Sequence, residues 1–135
     1  MANALYGKGR QKFLEGGIAW LADNIKAVLV DTGAYTLAID THEFLSDIPV
    51  GARIATSGNL ATKTTTLGVA DADDLTFASV TGASIEAVVL YKDTGVAATS
   101  ALIAYIDTAT GLPVTPNGGN INVVFDSGAN KIFKL

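Results

Sequence analysis

Val28-Leu29-Val30 and Val88-Val89-Leu90 are two runs of consecutive apolar residues with no alternation. A strand turns successive side chains to opposite faces, so a run of this kind has to be covered on both. Each run therefore predicts a central strand with one face in the core. The other face is expected to lie under an N-terminal arm, a helical turn or a neighbouring subunit. Six further short segments rich in β-branched and aromatic residues surround them: "YTLAI", "ARIATS", "LTFASV", "ALIAYID", "INVVFD" and "KIFKL". Turn signals separate them at Ser57-Gly58-Asn59, Thr81-Gly82, Pro116-Asn117-Gly118-Gly119 and Ser127-Gly128-Ala129-Asn130. This predicts an all-β chain of about eight strands in two sheets. One helical turn is expected in "THEFLSDIP", capped by Thr41, with Glu43 and Phe44 inside it and Pro49 beyond its end.

The 135 residues suit a single domain over 1–135, with no repeat and no linker. Hydrophobic residues make up 49% and charged residues 16%, where an average soluble domain has about 25% charged. Mean hydropathy is +0.37. Such a chain is expected to bury surplus apolar surface against copies of itself, as a dimer or trimer, or against a partner. No window approaches the ~18–20 apolar residues of a membrane span, and the start lacks the apolar core of a signal peptide. The expectation is a soluble protein made in the cytoplasm, with no membrane partner. Cysteine is absent, which removes disulfides and thiolate metal sites.

Charge is unevenly spread: residues 1–26 sum to +2, residues 27–126 to −8 and residues 127–135 to +2. A pI near 4.7 argues against nucleic acid as a partner. Residues 1–17 read as a basic arm, with any helix kept short by Gly7, Gly9, Gly16 and Gly17. Tyr6, Lys8, Arg10, Lys12 and Phe13 combine cations with aromatic anchors, a mixture that interfaces favour. The arm is expected to be mobile in the isolated protein, with those five residues as the interface and the β domain folding regardless.

Asp31-Thr32-Gly33 follows an apolar run, as the catalytic Asp of an aspartic protease does, and the tripeptide returns at Asp93-Thr94-Gly95. The chemistry needs two carboxylates about 3 Å apart sharing a proton. Asp93 follows Asp31 by 62 positions, too few for a second lobe. A dimeric enzyme would need a flap before its apolar-apolar-Gly strand, yet Leu67-Gly68 comes only 35 positions after Gly33. Both tripeptides read as turns that end strands, with Asp and Thr bonding the turn backbone. A dimeric aspartic protease using Asp31 is the remote alternative. His42 is the one histidine, so a two-His zinc site cannot be completed, and nothing else in the sequence supports a Ser-His pair. Asp71, Asp73 and Asp74 begin no EF-hand, because the sixth and twelfth positions hold Thr76 and Gly82. "TPNGGN" lacks the ending of a phosphate loop. No catalytic, cofactor or metal residue is assigned.

The segments "GKGRQKFLEGGIAWLADNIKAVLVDT", "THEFLSDIPVGARIATSGNL", "GVADADDLTF" and "ALIAYIDTATGLPVTPNGGNI" together resemble a group of small tailed-bacteriophage virion proteins that includes capsid cement (decoration) proteins. The resemblance spans nearly the whole chain. It implies a jelly-roll-like β-sandwich with a short N-terminal arm or helix, assembled as an oligomer on the capsid exterior and bracing neighbouring major capsid proteins. A tail or head-tail completion protein is the runner-up.

Overall fold

The computed structural model describes residues 4–125 and 131–135. Nine short strands and one helix follow in chain order: β1 (Ala4–Leu5), α1 (Gly7–Leu14), β2 (Ile25–Val30), β3 (Arg53–Thr56), β4 (Val69–Ala70), β5 (Leu75–Phe77), β6 (Ala87–Lys92), β7 (Leu102–Ile106), β8 (Ile121–Val123) and β9 (Phe133–Lys134). The chain is all-β, and every pairing is antiparallel. Five strands form one sheet in the order β1-β7-β6-β2-β3, and two ladders, β4-β9 and β5-β8, stand apart from it.

The unalternated runs lie at the centre of the sheet. Val28 pairs with Val89 and Leu29 with Val88, and all six residues of the two runs are fully buried. One sheet face sends Ile25, Ala27, Leu29, Val88, Leu90, Ala104 and Ile106 into a core closed by Trp20, Phe77, Val123, Phe125 and Phe133. The opposite face sends Val28, Val30, Val89, Tyr91 and Tyr105 into a second cluster with Tyr6, Tyr35, Leu45, Ile48 and Ala52. The double burial predicted for these runs is what the fold provides. The second cover is the 35–52 segment together with Tyr6.

In place of the two expected sheets there is one five-stranded sheet with two short separate ladders, because the remaining strands are only two or three residues long. Three further details differ from the expectation. "YTLAI" forms no strand. It crosses over the second face, inserting Tyr35 and half-burying Leu37 and Ile39. The two-residue strands β1 and β4 are too short to carry a periodic signal. The helical turn is a 3-10 turn at Leu45–Asp47, with Glu43 and Phe44 before it, and a second follows Pro49 at Val50–Ala52. The turn expected at Ser127-Gly128-Ala129-Asn130 lies outside the described residues. At Pro116-Asn117-Gly118-Gly119, Asn117 accepts the Gly119 N–H at 2.9 Å and Gly118 takes a φ of +86°, as expected for a turn.

The turn at Leu45–Asp47 is held from behind, not by Thr41. The Asp47 carboxylate accepts the N–H groups of Glu43 (2.8 Å) and Phe44 (3.0 Å). These backbone bonds hold its pKa below the usual aspartate range. Because the folded pKa is depressed, the stabilisation is complete above the ordinary Asp value near 3.9 and is lost as pH falls below it. Asp47→Ala is expected to cost about 1 kcal/mol at neutral pH. That gap should narrow in urea titrations performed below the ordinary Asp value.

Candidate interaction surface

The N-terminal segment is part of the fold, which corrects the expectation of a free arm. Ala4 and Leu5 pair with Tyr105 and Ala104 of β7. The Tyr6 N–H donates to the Ile103 carbonyl (2.9 Å), and the Gly7 N–H to that of Ile39 (2.8 Å). Tyr6 is fully buried. Its hydroxyl lies 3.0 Å from that of Tyr35, which in turn lies 2.8 Å from His42 Nδ1. The Ala38 N–H also donates to Nδ1 (3.3 Å), so that nitrogen is an acceptor. Tyr35 therefore donates to His42 and accepts from Tyr6. Burial pushes the Tyr6 and Tyr35 hydroxyls above the ordinary tyrosine range, keeping both protonated as this chain of bonds requires.

Helix α1 then lies against β7, and Gly9 is the reason it comes so close. A Cβ at that position would stand 2.6 Å from the Leu102 carbonyl oxygen, nearer than real Cβ contacts come. Gly9, which looked like a source of flexibility, is thus a close-approach position, whereas a Cβ on Gly7 would meet the exposed Asp40 side chain at 2.8 Å, which can turn aside.

The five predicted interface residues therefore have different environments. Tyr6 is core. Phe13 is half-buried against the first core, its ring 5.8 Å from that of Phe133, which meets Trp20 edge-on at 5.2 Å. Lys12 pairs with Glu43 at 2.5 Å and sits 5.1 Å over the Phe44 ring. Arg10 donates to the Leu5 carbonyl (3.0 Å), covering the outer edge of β1, and faces Asp40 at 3.7 Å. Lys8 has no carboxylate partner among the described residues. Lys8 and Arg10 are the members whose charge remains available to a partner.

Missing from the sequence reading was a groove between α1 and β9. It holds about 270 Å³ and is lined by Leu5, Phe13, Leu14 and Leu135, with Arg10 and Lys134 at its rim. Leu14 is 91% exposed and Leu135 60%. Leu67 is also 91% exposed, and the residue after it, Gly68, accepts the Leu135 N–H at 3.0 Å.

The two Asp-Thr-Gly turns share one construction. Asp31 Oδ1 accepts the Gly33 N–H at 2.8 Å, and Asp93 Oδ1 the Gly95 N–H at 3.0 Å. They end adjacent antiparallel strands, β2 and β6, whose register places Ile25 opposite Lys92 and Val30 opposite Ala87. The carboxylates consequently sit at opposite ends of the sheet, about 20 Å apart at ~3.3 Å per residue. They cannot form a dyad within one chain. Each has a structural bond set instead. Thr32 donates from both its N–H and its hydroxyl to Glu86 Oε1, each at 3.0 Å. Burial works against ionisation of Glu86, but hydrogen bonds from Ser84 and Thr32 outweigh it and hold the carboxyl below its usual range. Asp93 is held low by Lys26, 2.9 Å away, and by the Gly95 N–H.

The acidic turn is likewise tied into the fold. Asp71 lies 3.7 Å from Lys131, Asp73 accepts the Thr62 hydroxyl (2.8 Å) and Asp74 the Phe125 N–H (2.9 Å). Among the described residues, no group of three or more His, Cys, Asp or Glu is placed to hold a metal ion. No helix there is long and apolar enough to cross a membrane. The chain matches no protein-family model and no curated protein.

Proposed function

We propose that this chain is a non-enzymatic structural protein of a tailed-phage virion: a cement protein with a jelly-roll-like β-sandwich that binds the capsid exterior and stabilises contacts between major capsid proteins. The observation that carries the reading is the distribution of exposed apolar side chains. Leu14 and Leu135 line the α1–β9 groove, while Leu67 (91% exposed), Val50 (76%) and Val96 (57%) belong to other segments, the turn before Gly68, the 3-10 turn after Pro49 and the second Asp-Thr-Gly turn. A brace on a repetitive shell needs more than one adhesive surface, one for the shell and one for its neighbours. Each contact can be weak, since linked sites raise effective affinity by about 10²–10⁴ without new contacts. The sequence resemblance supplies the address. A tail or head-tail completion protein would make the same demand on its surface.

Purified protein is expected to co-sediment with capsids of its own phage prepared without it, and to raise their melting temperature. Failure to bind such shells would overturn the assignment. The protease alternative makes its own demand, namely pepstatin-sensitive cleavage at acid or neutral pH that Asp31→Asn abolishes. No cleavage is expected from the wild-type protein at concentrations that favour dimers.

A further inference from the structure

Asn117 is the one asparagine in the sequence that a glycine follows, and it stands exposed at the tip of the Pro116–Gly119 turn. Asparagine is chemically labile where the next amide nitrogen can close a five-membered ring on its side-chain carbon. Every other asparagine precedes a residue whose Cβ crowds that approach. Gly118 leaves it open. The side-chain carbonyl of Asn117 also accepts the Gly119 N–H at 2.9 Å, which draws electron density from Cγ. The electrophile is therefore primed.

The nucleophile is clamped. The Gly118 N–H donates to the Val80 carbonyl at 2.8 Å, and the Val80 N–H returns a bond to the Gly119 carbonyl at 3.0 Å. Val80 is the buried residue of the otherwise exposed stretch 78–84, and its side chain pins this pair of bonds to the first core. We propose that Asn117 is a deamidation site held shut by Val80, which reacts when the clamp opens and whose isoaspartate product keeps the turn from re-forming. In the first step the Gly118 nitrogen gives up its proton and bonds to Asn117 Cγ. The bond from Cγ to the side-chain nitrogen breaks, and ammonia leaves. Water then adds to one of the two carbonyls of the succinimide and opens the ring, giving aspartate on one side and isoaspartate on the other. In isoaspartate the carbonyl that accepted the Gly119 N–H has become main chain, so that bond is lost. Deamidation here is a one-way record of local opening.

The test is peptide mapping by mass spectrometry on the full chain, held in mildly alkaline buffer with and without urea. In urea Asn117 is expected to be the fastest asparagine to become acidic, and in native buffer to react at least about tenfold more slowly. Val80→Ala loosens the pin and leaves the reacting residues in place. It should raise the native rate several-fold and leave the urea rate unchanged. Val89→Ala separates local from global opening, because it weakens the core on the opposite face of the sheet. Well below its melting temperature, that variant should keep Asn117 at the wild-type rate. The proposal is overturned by equal rates with and without urea, by a native rate that Val80→Ala does not raise, or by the same rise from Val89→Ala. It is equally overturned if Asn117 is unreactive in urea or another asparagine reacts faster there.

Discussion

Val89→Asp is expected to abolish soluble expression. Val89 is fully buried at the middle of the sheet, opposite Val28 and Tyr105, and its side chain points into the cluster with Tyr6, Tyr35 and Ile48. Losing the valine forfeits about 1.5–3 kcal/mol of burial. The carboxylate adds the larger penalty, several kcal/mol for a charge placed at the centre of an apolar cluster. A domain of this size has about 5–15 kcal/mol in hand, so the sum reaches the whole of its stability. Val89→Ala serves as the graded control and should express, with a lower melting temperature. Wild-type yield and melting temperature in Val89→Asp would remove Val89 from the core.

Deletion of residues 1–13 should have an effect nearly as large. A mobile arm could be removed at little cost, but this segment supplies Tyr6 to the second core, pairs with β7 and seats α1 on the sheet. Removing a buried aromatic alone costs about 3–5 kcal/mol. The truncated protein is therefore expected to be insoluble or to melt more than 10 °C lower, on the order of 2–5 °C per kcal/mol. Tyr6→Phe isolates the hydroxyl, and should cost only about 1 kcal/mol from the lost bond to Tyr35. A truncation that melts with the wild type would restore the free arm and detach Tyr6 from the core.

What the sequence discloses depends on how local the cause is. The unalternated runs announce strands covered on both faces, since that signal sits within six residues. The Asp-Thr-Gly turns are equally local: each is closed by an Asp oxygen bonding an N–H two residues on. The burial of Tyr6 has no local signal. Its neighbours are Gly7, Lys8 and Gly9, and its partners Tyr35 and Ile103 are supplied by distant segments. Glycines flanking cations look like a flexible tether until β7 is found packed against one of them. The groove is hidden for the same reason, because it exists only where Phe13 meets Phe133 across the length of the chain. "YTLAI" misleads in the opposite sense. Its alternation is real, but Tyr35 packs onto the face of the sheet while β3 takes the free edge of β2.

The proposed place of this chain on the outside of a phage head is tested most directly by antibody labelling of virions in negative stain. Gold distributed over the faces of intact heads, and absent from heads lacking the protein, is the predicted result. Gold confined to the tail or the head-tail junction, or no label on virions at all, would contradict it.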